Sequence, residues 1–387
     1  MIVLHALPAI AGGGAQLSAL ETVAALRQAG ATALVASAGG RMERAFAAAG
    51  ARHFFLPLDT KNPLSILRNA VRLAALISAE RVDLLHAHSR AVAWSALLAA
   101  RRTHTPFVTT WHGAYGEKNP LKRRYNAVMA SGDRVIAVSR FISGSINARH
   151  PRAAPRIRVI PPGIDPARFD PAAISPDRAA ALARSWNLPP GRPVVMLPAR
   201  LARWKGQRVL LEALARLADR SAIAVFVGPL EGRERYASAL QSTAARLGIA
   251  ERIRFPGATD DMPAALTLAD IVVNASSEPE AFGRVIIEAA AMARPVIAAD
   301  HGAAAETVLA GETGWRTPPG DSAALAAALD RFFALPPAAR AAIGTAARAF
   351  ALRSYSLAAM QEATLALYRE LLSCDPAGRA ATPPAPV

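Results

Sequence analysis

The sequence predicts an α/β chain of two doubly wound, Rossmann-like domains that face each other across a cleft. Its 387 residues exceed what one ordinary core requires, so two domains of roughly 100–200 residues each are expected. Apolar residues make up 52% of the chain and charged residues 19%, which is typical of globular proteins. In both halves short apolar runs alternate with helical patterns, which favours parallel sheets covered by helices.

The predicted elements follow the same order in each half, because buried parallel strands read as apolar runs. Strands of the first half are expected at residues 2–6, 33–37, 84–88, 107–111, 134–138 and 158–160. Helices between them are expected at 15–28, 63–80 and 91–100. Strands of the second half are expected at 193–198, 222–227, 253–255, 271–274 and 296–299, and a final helix at 360–372.

The boundary between the domains is predicted at a cluster of four prolines and one glycine in residues 161–171. Residues 161–190 are interpreted as a linker, because Pro and Gly interrupt regular elements. We therefore assign residues 1–170 to an N-terminal domain and residues 171–354 to a C-terminal domain. Residues 375–387 are predicted to be a disordered tail.

The formal net charge of +16 is concentrated in the N-terminal half. Residues 1–170 contain 22 Lys or Arg against 9 Asp or Glu, whereas residues 171–387 contain 23 against 20. This asymmetry indicates an anionic partner of the N-terminal domain. Nucleic acid is not expected, because the chain has only 6% aromatic residues and no basic recognition helix.

Other features of the sequence bear on the cellular compartment. Cys374 is the one cysteine, so no disulfide framework can form within the chain. No apolar run reaches the roughly 18 residues of a transmembrane helix, and the N-terminus reads as a buried strand rather than a signal peptide. We expect a cytoplasmic protein, and peripheral attachment to the inner face of the cytoplasmic membrane is compatible with this.

A glycine run, Gly12 to Gly14, lies between the first strand and the first helix. Glycines let the backbone approach a ligand closely, and the helix N-terminus that follows favours anions. A tight turn is the alternative interpretation. The spacing is not the GxGxxG pattern of dinucleotide-binding domains, which argues against a nicotinamide-dependent dehydrogenase.

Two cations, Arg200 and Lys205, lie in the segment after strand 193–198. In such a position they can neutralise the charge that grows on a leaving diphosphate. Lys205 is one of only four lysines in the chain, which weakly favours a specific use of its ammonium group. The alternative is a solvated basic loop.

The segment from Glu278 to Glu288 follows strand 271–274 and begins a helix at about Gly283. Free amides at a helix N-terminus bind phosphate, and the carboxylates of Glu280 and Glu288 can accept hydrogen bonds from sugar and ribose hydroxyls. The alternatives are a helix cap for Glu280 and a surface position for Glu288. Apolar residues flank Glu288, which favours its burial or a functional role.

His86 and His88 alternate on one predicted strand and therefore point to the same face. Such a pair could bind a metal ion, but no third ligand is evident, and the chain has no Asp-x-Asp motif. We therefore predict no metal site and place both histidines on the acceptor side of the N-terminal domain. The pair Asp260–Asp261, before Met262 and Pro263, is interpreted as a helix cap.

Taken together, these segments resemble the retaining family-4 glycosyltransferases of the GT-B fold. The resemblance covers essentially the whole chain in family order, through Gly13–Gly14 and residues 109–113, 133–139, 160–165, 200–206 and 280–289. Glu280 and Glu288, with seven residues between them that include a Phe-Gly pair, form its most specific part. Pro162 and Gln16 depart from the residues that are frequent in the family.

The resemblance implies which residues act. The implied catalytic residues are His112, Glu280, Arg200 and Lys205. The implied donor-binding residues are Gly13, Gly14, Arg200, Lys205, Glu280, Phe282, Gly283 and Glu288. No metal ion or other cofactor is implied. The N-terminal domain would bind the acceptor, and a C-terminal helix at about 355–372 would cross back to that domain.

The resemblance also implies which part of the nucleotide sugar each residue would bind. Arg200 and Lys205 would bind the diphosphate, together with the glycine run. Glu280 would hold the sugar with the amides of residues 282 and 283, and Glu288 would hold the ribose. His112 would lie near the reacting centre.

The function implied is transfer of a sugar from a nucleotide-diphosphate donor to a hydroxyl of a glycan or lipid-linked acceptor, in lipopolysaccharide or other cell-envelope polysaccharide synthesis. Ten basic residues of the N-terminal half are predicted to face an anionic membrane or anionic lipid-linked acceptor, and a solvated face is the alternative. They are Lys118, Lys122, Arg123, Arg124, Arg134, Arg140, Arg149, Arg152, Arg156 and Arg158. Alternative functions are a nucleotide-sugar epimerase on the same fold and a non-catalytic nucleotide-sugar-binding protein.

Overall fold

The computed structural model describes residues 1–117, 119–230 and 232–373, so Lys118, Cys374 and the predicted tail lie outside the described residues. The chain divides into two compact units. Unit 1 comprises Met1–Pro162 with the described residues from Ala358 onward, and unit 2 comprises Gly163–Leu357. Residues 163–170, assigned to the N-terminal domain in the sequence analysis, therefore group with unit 2.

Unit 1 is built on a parallel sheet. Its described strands are β1 (Ile2–Ala6), β2 (Thr32–Ser37), β3 (Arg52–Phe55), β4 (Leu84–Ala87), β5 (Phe107–Trp111), β6 (Arg134–Ala137) and β7 (Ile157–Val159). They pair in the order β3-β2-β1-β4-β5-β6-β7, all in parallel. The helices between them are α1 (Gly14–Gln28), α2 (Glu43–Ala48), α3 (Pro63–Ala79), α4 (Arg90–Thr103), α5 (Pro120–Ala127) and α6 (Arg140–Arg149).

Unit 2 repeats this design. Its described strands are β8 (Val194–Pro198), β9 (Ile223–Val227), β10 (Ile253–Gly257), β11 (Ile271–Asn274), β12 (Val296–Ala299) and β13 (Gly314–Thr317). They pair in parallel in the order β10-β9-β8-β11-β12-β13. Its helices are α7 (Pro176–Ser185), α8 (Gln207–Arg216), α9 (Glu234–Arg246), α10 (Met262–Thr267), α11 (Arg284–Ala291), α12 (Ala304–Thr307), α13 (Ser322–Ala334) and α14 (Pro337–Ser354).

The last helix, α15 (Leu357–Ser373), packs on unit 1 with most of its length. The Tyr368 hydroxyl lies 2.6 Å from His86 Nδ1, and Gln361 Nε2 donates to the carbonyl of Glu21 at 2.9 Å. Tyr368 is fully buried. None of the helices in the described ranges is both long and apolar enough to cross a membrane.

The predicted fold class is confirmed, and each predicted strand is present with ends displaced by no more than two residues. The strands β3 and β13 were not predicted. Both lie at a sheet edge, and their sequences, Arg52–Phe55 and Gly314–Thr317, each contain an arginine instead of a continuous apolar run. An edge strand needs less apolar surface than a central one, so it leaves a weaker pattern.

The interpretation of residues 161–190 as a linker is wrong for its second half. Ser175 caps α7, and Pro176 occupies the first helical position, where its missing N–H costs nothing. Arg178 then forms an ion pair with Asp261 at 2.6 Å. Asp261 is also the cap of α10, as predicted, since its carboxylate accepts from the amide of Ala264.

Each sheet has a point where its strand order reverses, between β1 and β4 in unit 1 and between β8 and β11 in unit 2. The connections leave in opposite directions there, so the carboxyl ends of these strands open a crevice in which α/β proteins bind ligands. In unit 1 these ends lead into the glycine run and His88. In unit 2 they lead into residues 199–206 and 275–283.

Candidate functional site

The loop after β8 carries the two predicted cations of unit 2. It contains a short 3-10 turn, Arg203–Lys205. Lys205 Nζ lies 4.2 Å from the centre of the Trp204 ring, and the guanidinium carbon of Arg200 lies 5.8 Å from it. Both cations therefore lie within cation–π range of one indole, which the sequence analysis did not single out. Arg200 is exposed, whereas the side chain of Lys205 is only 19% exposed.

Lys205 and Glu280 form an ion pair although 75 residues separate them in the sequence. Lys205 Nζ donates to Glu280 Oε1 at 2.5 Å, and the Ser276 hydroxyl donates to the same oxygen at 2.6 Å. The Glu280 side chain is only 15% exposed, so water competes little for these charge-assisted hydrogen bonds. The alternative of Glu280 as a helix cap is wrong, because the N-cap of α11 is Gly283 and no side chain caps it.

Two glycines with positive φ bring the loops of this site together. Gly206 has a φ of 76°, and a Cβ there would lie 1.9 Å from the carbonyl oxygen of Ala275. Gly302 has a φ of 63°, and a Cβ there would lie 2.4 Å from the carbonyl oxygen of Glu280. That oxygen also accepts from the amide of Ala303 at 3.0 Å. Only glycine fits either position, so the backbone beside both Lys205 and Glu280 is held closely.

The start of α11 supplies the other predicted donor-binding groups. Gly283 at the N-cap has a φ of 80°, and Phe282 before it is buried edge-on against Tyr355 at 5.3 Å between ring centres. Glu288, one turn into the helix, has a side chain only 14% exposed, and its Oε1 lies 3.5 Å from Nε of Arg284. Its apolar neighbours thus bury much of Glu288, as expected. Among the described contacts, Arg200 lies over the Trp204 ring and Glu288 lies beside Arg284. No described side-chain contact joins Arg200 or Glu288 to the Lys205–Glu280 pair.

In unit 1 the glycine run forms the turn into α1. Gly12 and Gly13 have φ values of 111° and 134°, a region that favours glycine, and Gly14 is the first residue of the helix. The conformation therefore fits the interpretation as a tight turn. Gly13 and Gly14 are also exposed at the N-terminus of a 15-residue helix, where amides are directed outward.

Four histidines form a connected group at the carboxyl ends of β1, β4 and β5. His5 Nδ1 lies 3.0 Å from His88 Nε2, and His88 Nδ1 lies 3.2 Å from His112 Nε2. His86 bonds instead to the hydroxyl of Tyr368 at 2.6 Å and to that of Thr110 at 2.7 Å. His5, His86 and His88 are 0%, 1% and 3% exposed, and His112 is half-buried.

Burial sets the charge of this group. It lowers the pKa of His5 to about 3, and burial together with the neighbouring imidazoles lowers the pKa values of His86 and His88 well below the usual value. An uncompensated imidazolium is unfavourable in such a site. The three buried rings are therefore neutral at physiological pH.

His5 was not predicted as the neighbour of His86 and His88. Ring nitrogens of these three residues lie within 4.8 Å of one another, so the statement that no third candidate ligand accompanies the pair is wrong. The parallel pairing of β1 with β4, which sets His5 beside His86, is the signal that could have found it. The prediction that no metal is bound stays a prediction.

A cavity of unit 1 opens beside this histidine group. Its polar lining includes His86, His88, Thr110 and His112. The remaining lining comes from α1, α15 and the strand ends, through Ser18, Thr22, Ile136, Val138, Ile160, Pro162, Met360 and Thr364. His112 thus lines the carboxyl-end cavity of its own sheet, where a ligand is expected.

The basic residues of 117–158 do not share one role in the structure. Arg134 and Arg158 pair with Glu370, and Arg149 and Arg156 donate to carbonyl oxygens of unit 1. The exposed members of the set are Lys122, Arg123, Arg124, Arg140 and Arg152. About half of this positive charge therefore contributes to internal contacts.

Comparison with known proteins gives consistent matches over both units. Residues 12–168 match the family described as Glycosyltransferase Family 4, and residues 180–350 match Glycosyl transferases group 1. A glycosyltransferase from Rickettsia africae has a similar structure, with a TM-score of 0.88 and 33% identity over 97% of this chain and 99% of that one. The Anabaena protein HepE, solved with UDP and glucose, has a TM-score of 0.84 and 25% identity over 96% and 100% of the two chains.

Among curated proteins the chain is similar to D-inositol 3-phosphate glycosyltransferase of Salinispora tropica. The two are 35% identical over 257 residues, which is 60% of this chain and 52% of that protein. The chain thus spans about half the length of the first curated relatives it matches.

Proposed function

Because the chain belongs to the family-4 glycosyltransferases of the GT-B fold, we propose that it transfers a sugar from a nucleotide-diphosphate sugar, with retention of anomeric configuration and without a metal ion. The proposed acceptor is a hydroxyl of a glycan or lipid-linked molecule in lipopolysaccharide or another cell-envelope polysaccharide. UDP is the donor nucleotide to test first, since HepE was solved with UDP and glucose.

The contact that carries this proposal is the ion pair between Lys205 and Glu280. It places an ammonium group and a carboxylate side by side at the strand-order reversal of unit 2, where ligands bind. An ammonium group suits a diphosphate, and a carboxylate suits sugar hydroxyls. One site can therefore take both parts of a nucleotide sugar, with the exposed guanidinium of Arg200 as a second cation.

The proposed chemistry relies on positioning and charge. As the bond between the anomeric carbon and the phosphate oxygen breaks, Arg200 and Lys205 stabilise the negative charge that develops on the diphosphate. The acceptor hydroxyl attacks from the same face and gives its proton to the departing phosphate. Glu280 stabilises the positive charge on the sugar ring and forms no covalent bond.

The other site residues complete the donor site in this proposal. The amides of Phe282 and Gly283 hold the sugar, and Glu288 holds the ribose. In unit 1, Gly13 and Gly14 approach the phosphates, and His112 lies near the reacting carbon. The cavity beside His112 and the positive charge of unit 1 support binding of the acceptor there. An anionic acceptor fits this charge, and the curated relative acts, by its name, on an inositol phosphate.

Transfer is tested by release of nucleoside diphosphate from a panel of UDP-, GDP-, ADP- and dTDP-sugars, with envelope glycolipid as acceptor. We expect release from one donor class that depends on the acceptor and continues in EDTA, and a product whose linkage has the donor's anomeric configuration by NMR. Glu280→Ala and Lys205→Ala should each lower turnover strongly, and Arg216→Ala, at an exposed cation of unit 2 at the end of α8, is the matched control. Near-normal turnover in both site variants would contradict the assignment, and an isomerised donor without acceptor would indicate an epimerase.

Attachment to an anionic membrane is proposed for unit 1. Leu64, Leu67 and Val71 follow one another on α3 at helical spacing and are 65%, 53% and 61% exposed. Arg68 and Arg72 are exposed beside them on the same helix. An apolar stripe flanked by basic residues matches the boundary between acyl chains and anionic headgroups.

Vesicle flotation at low salt tests this attachment. We expect binding to vesicles that contain phosphatidylglycerol and little binding to neutral phosphatidylcholine vesicles. Replacing Leu64, Leu67 and Val71 together by serine should abolish flotation, whereas Leu247→Ser, at an exposed leucine of unit 2, should leave it unchanged. Equal flotation with both lipids would exclude the proposal.

A further inference from the structure

The histidine group of unit 1 contains a continuous hydrogen-bonded path from the core to His112. It runs from His5 through His88, with nitrogen–nitrogen distances of 3.0 Å and 3.2 Å. His88 uses both ring nitrogens in this path. A neutral imidazole has one donor and one acceptor nitrogen, so the proton positions of linked rings depend on one another.

The protons of the path can be directed either toward His5 or toward His112, and the buried end at His5 decides between these two arrangements. The other nitrogen of His5, Nε2, is buried and has no hydrogen-bond partner in the described structure. If the protons were directed toward His5, this nitrogen would carry an orphaned N–H. If they are directed toward His112, it is an orphaned acceptor, which proteins tolerate more readily than an orphaned donor. The structure therefore favours donation from His5 to His88 and from His88 to His112.

We propose that His5 and His88 are positioning residues that hold His112 as the tautomer with its proton on Nδ1, by donating a hydrogen bond to its Nε2. This inference rests on the proposed function only where it links the tautomer to sugar transfer. Without His88, Nε2 of His112 would lose the hydrogen bond that favours its unprotonated form. With it, the ring presents Nδ1–H as a fixed hydrogen-bond donor beside the cavity.

The surroundings of the path support this arrangement. The groups that face His88 are His5 of β1, His86 of β4 and His112 after β5, and all three disfavour a charge on it. Tyr368 of α15 faces His86, and its hydroxyl lies in the same buried region. Neutral rings at all three buried positions are what the alternating donor–acceptor pattern requires.

A metal ion on His5, His86 and His88 is the competing use of the same atoms. Both nitrogens of His86 and both of His88 are already in hydrogen bonds, so a metal ion would have to break several of them. Among the described residues the grouped candidate ligands are three neutral histidines, without a carboxylate to offset a buried dication. Such a charge is costly to bury, so the hydrogen-bonded path accounts for the geometry better.

The proton position is measured directly by 15N NMR of the imidazole nitrogens in full-length protein labelled on its eight histidines. Signals of His112 are assigned by their loss in His112→Asn. In the ligand-free protein at pH 8 we expect Nδ1 of His112 to be protonated and Nε2 to be unprotonated. The opposite tautomer in the wild type would overturn the proposal.

Variants then test whether His88 causes this state. His88→Leu removes the donor, and we expect His112 to shift toward the Nε2–H tautomer. His88→Asn keeps an amide N–H close to the position of Nδ1 and should preserve the Nδ1–H tautomer. His86→Asn, at an equally buried position outside the path, is the matched control and should leave the tautomer of His112 unchanged. An unchanged tautomer in His88→Leu, or 15N signals of His5 and His88 that respond to stoichiometric Zn²⁺, would overturn the proposal.

Kinetics separate this inference from the proposed function. In His88→Leu we expect kcat to fall about fivefold, which corresponds to loss of one hydrogen bond, with KM for the donor unchanged and partial rescue in His88→Asn. If wild-type protein transfers no sugar, the proposed function fails while the NMR result stands. If transfer is normal but kcat and the pH–rate profile of His88→Leu match the wild type, the inference fails alone.

Discussion

Replacing Lys205 by methionine removes one charge from the proposed donor site and keeps the length of the side chain. In the structure, Lys205 Nζ donates to Glu280 Oε1 at 2.5 Å, and both side chains are more than four-fifths buried. The change leaves Glu280 with the hydroxyl of Ser276 as a hydrogen-bond donor. The carboxylate therefore stays in place but loses its counter-charge.

The magnitude follows from this burial. A hydrogen bond to a charged group contributes about 1.5–3 kcal/mol to stability. We expect Lys205→Met to lower the free energy of unfolding by about 2 kcal/mol. Lys205→Met and Glu280→Gln in a double-mutant cycle should show a coupling energy of about 1.5 kcal/mol, because removing either partner alone already breaks the pair.

Urea unfolding at pH 7 and low salt is the assay, and the pair Arg208–Glu212 is the control. It lies on α8 at 2.8 Å, but its side chains are 69% and 32% exposed. Exposed pairs at this spacing contribute about 0.3–0.5 kcal/mol. A coupling energy between Lys205 and Glu280 no larger than that of the control pair would show that burial does not strengthen their contact.

Three further predictions test the packing and the charges. Gly206→Ala should lower the free energy of unfolding by about 3 kcal/mol or more, because backbone strain and steric overlap add. Gly191 has a φ of 73° and open space around it, so Gly191→Ala should lower the free energy of unfolding by only about 1 kcal/mol. Equal urea midpoints of the two variants would contradict the close approach at Gly206. Because burial lowers the pKa of His5 to about 3 from 6.5, the unfolded state binds a proton between these values that the folded state does not. Stability should therefore fall as pH falls, by up to about 1.4 kcal/mol per pH unit, and an undiminished slope in His5→Leu would contradict the neutral ring. The hydrogen bond from Arg134 lowers the pKa of Glu370, so its stabilisation is present above the ordinary value of 4.5 and is lost as pH falls through the folded value. Arg134→Met should thus be destabilising in thermal melts at pH 7 and progressively less destabilising as the pH falls below 4.5, and an effect that does not change with pH would exclude this pair as the cause.

The sequence was most informative where one segment determines its own structure. Central strands such as Ile271–Asn274 read as apolar runs because both faces are buried, and Asp261 reads as a cap because its partner is three residues away. The edge strand Gly314–Thr317 was missed because it has little apolar surface to show.

Contacts between distant segments were predictable only in outline. The doubly wound pattern places the loops that carry Lys205 and Glu280 at one end of the sheet, but their ion pair depends on backbone approach at Gly206 and Gly302. The same holds for His5, which joins His86 and His88 through strand register and not through any local pattern. Trp204 was overlooked, since a single aromatic residue in a loop has no periodicity.

The proposed function requires that unit 2 bind a nucleotide-sugar donor, and saturation-transfer NMR against UDP-, GDP-, ADP- and dTDP-sugars measures this binding. We expect transfer to the protons of one donor class in wild-type protein and in Lys122→Ala, and loss of that signal in Lys205→Ala. Binding that is unaffected by Lys205→Ala would contradict the proposed site. No binding of any donor, even with envelope lipid added, would contradict the proposed transferase function.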